Sequence, residues 1–216
     1  MSPLRIRYQT LEFGEVDIHL RTLRDRQEFL DLEGVAEELG ICSAAWPIFG
    51  VVWDSGEVLA HLMFDYQIAG MRILEVGCGI ALASLVLNHR HADITATDYH
   101  PEVEQFLLEN VQLNKGKKIP FFRTGWADKS SGLGVFDLVI GSDLLYERGH
   151  AELLSNFINN HAKPHCDVIL VDPGRGHHAR FSKKMVFLGY THSQSKATNI
   201  EYLHEPFNGQ ILRYHR

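Results

Sequence analysis

The sequence predicts an α/β protein: a doubly wound, mostly parallel sheet of seven strands, preceded by a small N-terminal β-hairpin and helix. Three observations carry this expectation. From residue 72 onward, short apolar and β-branched runs alternate with stretches of helical periodicity, the rhythm of strands joined by crossover helices. The first of these runs ends in two glycines, Gly77 and Gly79, which suit a tight strand-to-helix turn. The second ends in an acid, Asp98, and such sheets bind ligands outside the carboxyl ends of their strands.

Taken in order, residues 4–8 and 15–23 alternate apolar with polar around "FGE" and predict the hairpin. Residues 24–42 carry helix formers at loose helical spacing and predict a helix. "AAWPIFGVVWDSG" reads as a loop. "SGEVLAHLMFDY" then sets Val58, Leu59, Leu62 and Met63 on one helix face, with Ser55 as its cap. Strands are expected at "RILEVG", "DITATD", "KIPFFRT", "FDLVIGSD", "CDVILVD", "YTHSQSK" and "NGQILRYHR". Between them lie helices at "IALASLVLNHR", "PEVEQFLLENVQLN", "HAELLSNFINNHA" and "HARFSKKMVFLG". The second of these has Pro101 at its start and Glu102 in its first turn. No internal repeat or linker interrupts the pattern. The expectation is one domain over residues 1–216, with 1–45 an N-terminal extension and 46–216 the core.

Hydrophobic residues make up 45% of the 216 and charged residues 22%, which suffices for a full core. The formal net charge is −6, against a nucleic-acid partner. The short basic clusters, Lys115/Lys117/Lys118 and Lys183/Lys184, read as solvated faces. Three cysteines, without a CxxC pair, fit free thiols in a reducing cytoplasm. The N-terminus shows no apolar signal region and no run is long enough to span a membrane. The histidine pairs His89/His91 and His177/His178 match no metal-ligand spacing, so no metal is expected.

The chemistry concentrates at strand ends. In Glu75-Val-Gly77-Cys-Gly79-Ile-Ala81 the glycines let the backbone approach a ligand, and the following helix N-terminus offers N–H groups to an anion. Leu82 stands where a dinucleotide fingerprint has its third glycine. Asp98, 23 residues beyond Glu75, can accept hydrogen bonds from both hydroxyls of a ribose; the alternative is an Asp that caps the next helix. The run "VIGSDLLYE" delivers Ser142, Asp143, Tyr146 and Glu147 where the fourth strand ends.

The E-x-G-x-G-x-A signature resembles the glycine motif of class I S-adenosylmethionine (SAM) methyltransferases, with Ala81 in place of the usual last glycine. "GVVWDSGEVLAHLM" and "SDLLYE" resemble the seven-β-strand protein lysine methyltransferases that modify chaperones, calmodulin and elongation factors, within the nicotinamide N-methyltransferase-like superfamily. Their "VW", their Trp after the third strand and their Asp-x-x-Tyr fall on Val52-Trp53, on Trp126, and on Asp143 to Tyr146. "VDPGRGHHARFS" is similar to the "DPGR" of the electron-transfer-flavoprotein lysine methyltransferases. The resemblance implies a Rossmann-like fold and SAM as cofactor, with S-adenosylhomocysteine (SAH) as product. It implies cofactor contacts at Trp53, Glu75, Gly77, Gly79, Asp98, Trp126 and Ser142, catalytic roles for Asp143 and Tyr146, and a protein substrate.

Other readings stay open at this point. A tryptophan is more often core than ligand platform. The same motifs serve a SAM-dependent methyltransferase of a small amine, or a SAM-binding module without catalysis. An NAD-dependent oxidoreductase keeps Gly77, Gly79 and Asp98 but leaves Trp53, Trp126 and the Asp-x-x-Tyr unexplained. "SDLLYE" lacks the Asn/Asp-Pro-Pro-aromatic run of base methyltransferases. Asp172 to Arg175 reads either as a plain turn, since Pro-Gly is turn chemistry, or as placing Arg175 to pair with Glu147 or with a substrate carboxylate.

Overall fold

The computed structural model describes residues 5–25, 29, 31, 34–128, 132–147 and 149–216. Strands β1 (Ile6–Phe13) and β2 (Val16–Leu23) form the expected antiparallel hairpin, turning at Gly14 with φ 62°; Leu4 lies outside the described residues. The helix expected over 24–42 is realised as a single turn, α1 (Val35–Glu38), and part of the range lies outside the described residues. The physical reason is visible at both ends: Gly34 and Gly40 adopt φ 72° and 76°, left-handed values that a continuing α-helix excludes. Two 3₁₀ turns, Ser43–Ala45 and Ile48–Gly50, lead into α2 (Asp54–Asp65). Its N-cap is the extended Trp53 rather than Ser55, which is buried inside the first turn.

The central sheet holds β3 (Arg72–Val76), β4 (Asp93–Asp98), β5 (Phe121–Arg123), β6 (Phe136–Ser142), β7 (Ala162–Asp172), β8 (Thr191–Lys196) and β9 (Gln210–His215). Their order is β5-β4-β3-β6-β7-β9-β8. The first five run parallel, and β9 lies antiparallel between β7 and β8. The linking helices are α3 (Leu82–His89), α4 (Val103–Leu113), α5 (His150–His161) and α6 (His178–Phe187). Helix α4 starts later than expected: Glu102 is its N-cap and Pro101 precedes it.

Strand order reverses between β3 and β6, the place where an open sheet forms a crevice at its carboxyl edge. Successive strand residues feed opposite faces. Ile73, Leu138 and Ile140 join the core under α2 to α4, while Leu74 and Val139 join the core under α5 and α6. Both faces are covered, so the strands read as continuous apolar runs. The hairpin is tied down by α4, whose Asn110 and Asn114 stand one turn apart. The Asn110 amide accepts from Arg21 N (2.6 Å) and donates to Arg21 O (3.2 Å); the Asn114 amide does the same with His19 (2.8 and 2.6 Å). Two side chains thus stand in for a neighbouring strand and close the outer edge of β2.

Candidate active site

On one side of the crevice the chain leaves β3 through alternating left-handed residues, Gly77, Gly79 and Ala81, with φ 60°, 51° and 59°. A Cβ at Gly77 would lie 2.5 Å from Leu144 Cδ2, so a side chain there would have to displace Leu144 as well as hold a left-handed backbone. Ala81 holds the third left-handed position although alanine disfavours it. Asp98, at the end of β4, clamps this turn. Its Oδ2 accepts from Gly79 N at 2.8 Å and its Oδ1 from His100 N at 2.9 Å. Burial raises the Asp98 pKa, against the pull of the His100, Gly79 and Tyr99 N–H groups. Of the roughly four lone-pair positions of the carboxylate, the one not taken by these N–H groups remains for a ligand hydroxyl.

Glu75 points elsewhere. It is 4% exposed, and its Oε2 accepts from Ser84 N at 2.9 Å and from the Ser84 hydroxyl. It therefore satisfies an orphan donor in the first turn of α3. Burial pushes its pKa up to about 7, against the two Ser84 bonds.

The segment before α2 roofs the glycine turn. Phe49 stacks on His100 with centroids 4.1 Å apart, and its carbonyl oxygen lies 3.2 Å from where a Cβ at Gly79 would stand. Tyr99 OH donates to Leu39 O (2.9 Å), and Trp53 Nε1 donates to Ile48 O (2.9 Å). Trp126 Cζ2 would lie 3.9 Å from a Cβ at Gly77. The loop carrying Trp126 is held by Asp128, whose Oδ2 accepts from Thr124 Oγ1 (3.0 Å) and Gly125 N (2.7 Å).

A row of edge-on rings crosses to the other side: Trp126 to His150 at 5.0 Å, then His150 to Tyr146 at 4.5 Å. There Ser142 packs beside Gly56 of α2, and Asp143 leaves β6 at φ 51° while its N–H donates to Val171 O at 2.9 Å. The Asp143 carboxylate is gripped by Arg175, Nε to Oδ1 and Nη2 to Oδ2, both at 2.6 Å. This corrects the expected partner of Arg175. Glu147 instead lies 3.5 Å from His150 Nε2. Arg175 stands between Gly174 and Gly176, with φ 98° and 89°, and neither glycine has a neighbour that a Cβ would meet. Asp172 is buried and accepts from Gly174 N (2.8 Å), which shapes that turn. Tyr146 has its pKa pushed up to about 12, first by desolvation and then by the charges of Asp98, Glu147, Asp143 and Cys42. Its hydroxyl is neutral at any working pH.

Gly77, Gly79, Asp98, Trp126, Ser142, Asp143 and Tyr146 thus converge on one edge of the sheet. Glu75 is turned into the core, and Trp53 sits at the cap of α2 in the roof. The roof residue Phe49 and the ring bridge His150 had no signal in the sequence, since an aromatic in a loop and a histidine at a helix start look like ordinary packing. The signal for Arg175 was its place after a strand end, which gave the residue but not its partner.

A family model described as lysine methyltransferase matches residues 43–187. The electron transfer flavoprotein beta subunit lysine methyltransferase of Xenopus laevis is 26% identical over 144 residues, 65% of this chain and 56% of that protein. The protein N-lysine methyltransferase METTL21A of Danio rerio is 31% identical over 107 residues, 46% of this chain and 49% of that protein. The chain spans about half the length of these curated relatives. Among solved structures, magnesium protoporphyrin IX methyltransferase from Synechocystis, with bound SAM, aligns with a TM-score of 0.57 at 21% identity. That alignment covers 74% of this chain and 76% of the other, and it shows the shared fold.

Proposed function

This chain belongs to the lysine methyltransferase family, and on that premise we propose that it is a SAM-dependent N-methyltransferase acting on a lysine side chain of a protein. The observation that carries the reading is the convergence at the β3/β6 crevice. A left-handed turn clamped by Asp98 faces an Asp143–Tyr146 pair across the Trp126–His150 row. The residues present fit the cofactor: Asp98 offers two acceptor oxygens at a strand end, and the turn presents backbone where side chains are excluded. Asp98, Gly77 and Gly79 would hold it, with Trp126 and Trp53 on its adenine side and Ser142 beside it. Bound there, SAM would supply a methyl group already activated on a sulfonium, which the acceptor nitrogen would take while the C–S pair stays on sulfur and the acceptor proton is released to water.

The protein's own part is positioning and exclusion of water. The neutral Tyr146 oxygen accepts an amine N–H and aims the lone pair. Asp143 receives a second N–H. A lysine has an ordinary pKa of about 10.4 and attacks only when neutral, so desolvation in the crevice favours the reactive form. Residues 46–216 form the catalytic core in this reading, and 1–45 an extension whose hairpin is tied to α4 through Arg21 and His19. The free thiols Cys42, Cys78 and Cys166 suit the cytoplasm; no helix among the described residues is long and apolar enough to cross a membrane.

The test is tritiated SAM with a heat-treated cell lysate, comparing label in protein and in small molecules. Label in protein, released as methyl-lysine on hydrolysis, is the expected result. Label confined to small amines would replace the protein substrate with a small-molecule one.

A further inference from the structure

The geometry points to Arg175 as a positioning residue that neutralises the Asp143 carboxylate, so that the acceptor amine enters in its neutral, nucleophilic form. This rests on the reading of Asp143 as an acceptor-side group. An unpaired carboxylate beside the acceptor would be counterproductive. It would attract a lysine but stabilise the ammonium, the form that cannot attack. Arg175 removes that conflict. Its fork takes one lone pair on each Asp143 oxygen, at 2.6 Å, and a carboxylate oxygen has a second lone pair left for an amine N–H. Asp143 can therefore orient the amine without holding its proton.

The surroundings explain why the task falls to Arg175. The groups that act on this pair are Asp172 at the end of β7 and Tyr146 after β6; His178 at the start of α6 acts on Asp172, Tyr146 is in turn acted on by Asp98 at the end of β4, Glu147 and Cys42, and His150 at the start of α5 lies 3.5 Å from Glu147. Helix α2 carries Asp54 and Glu57 in its first turn, where Gly56 packs beside Ser142. Among these described groups Arg175 is the one permanent cation, set against an excess of carboxylates. Asp143 itself is held rigidly, its side chain 13% exposed and its N–H tied to Val171 O. Arg175 is 45% exposed and flanked by two glycines in left-handed conformation, so its side chain can shift as the acceptor arrives. That exposure also sets the magnitude. An opposite charge at contact shifts a pKa by roughly one to three units, and solvent screening places this case near one unit.

The experiment follows the initial rate of tritium transfer from SAM into heat-treated lysate protein, between pH 6.5 and 10. The lysate concentration is one that no longer raises the rate, so that the profile reports the bound acceptor. In Arg175→Gln the rise of rate with pH should move upward by about one unit, and in Arg175→Lys by less. At the alkaline plateau the three proteins should agree within about threefold, because there the amine is neutral in all. SAH affinity by calorimetry and the melting temperature serve as checks that the variants are folded and loaded. A uniform fall in rate at every pH would mean a merely structural Arg175 and overturn the inference alone, as would an unmoved profile. A parent protein that labels nothing overturns the methyltransfer reading, and the inference falls with it.

Discussion

The ends of β3 and β4 and the ends of β6 and β7 build the two halves of one crevice by different means. At β3 and β4 the parts are backbone and buried acid: left-handed residues at Gly77, Gly79 and Ala81, with Asp98 and Glu75 bonded to main-chain N–H groups. At β6 and β7 the parts are side chains: the largely covered Asp143 paired to the more exposed Arg175, with Tyr146 43% exposed. A half made of backbone can fit one small ligand and is hard to alter without unfolding the turn. A half made of exposed side chains can admit a large partner, and its chemistry can change by substitution. The first half should therefore respond to mutation in affinity and stability, the second in turnover.

Asp143→Asn should separate the halves most widely. It keeps the size of the side chain but removes the charge that Arg175 grips and that, in the proposed reading, orients the acceptor. Turnover should fall by about two decades or more, the scale of a positioned electrostatic contact, while calorimetry finds SAH affinity nearly unchanged. A loss of affinity in proportion to activity would assign Asp143 to the cofactor half.

Glu75→Gln probes the buried base of the other half. The Glu75 pKa rises from 4.5 to about 7 on folding. In the window between those values the folded protein keeps a proton that the unfolded chain releases. Stability is then fullest below pH 4.5 and declines as pH rises towards 7. The amide does not titrate. Relative to the variant, the parent should lose on the order of 3 kcal/mol across that window, read from denaturant unfolding at pH 4.5 and pH 8. Parallel pH dependence in the two proteins would show that Glu75 is ionised without penalty.

Asp98→Ala should weaken SAH binding by about one to two decades, or roughly 1.5–3 kcal/mol for bonds to a charged acceptor. Because Asp98 also clamps Gly79 N and His100 N, a small loss of stability should accompany it. An unchanged dissociation constant would remove Asp98 from the ligand site and leave only the clamp.

The smallest effect is expected at Ala81→Gly. A left-handed alanine costs about 1–2 kcal/mol, yet glycine gives back about 0.5–1 kcal/mol in chain entropy and loses a buried methyl of about 0.8 kcal/mol. Stability should therefore move by less than about 1 kcal/mol in chemical denaturation. A loss well beyond that would mean that the Ala81 methyl packs the turn more than its backbone strains it.

Every strand and helix of the sheet, from Arg72 to His215, was legible in the sequence, because short apolar or β-branched runs alternating with helical periodicity are local signals. So were the strand-end positions of Gly77, Asp98 and Asp143, since a parallel sheet sends all such ends to one edge. Among the described residues, the helix expected over 24–42 is realised only at Val35–Glu38, where two left-handed glycines outweigh the propensity of their neighbours. The Ser55 cap failed by two residues, because which residue turns into a helix depends on how the incoming loop is packed.

What only the tertiary structure decided is which side chains meet. Residues far apart in the chain approach through the sheet and loops, and no local pattern encodes the partner. So Arg175 closes on Asp143 rather than Glu147, Glu75 turns inward to Ser84, and Phe49 roofs Gly79. The sequence by itself determined the layered architecture and the edge at which chemistry occurs, through hydrophobic periodicity and glycine placement. The folded chain determined the charge state of that edge, because charge depends on distances and burial that exist only once the strands are side by side.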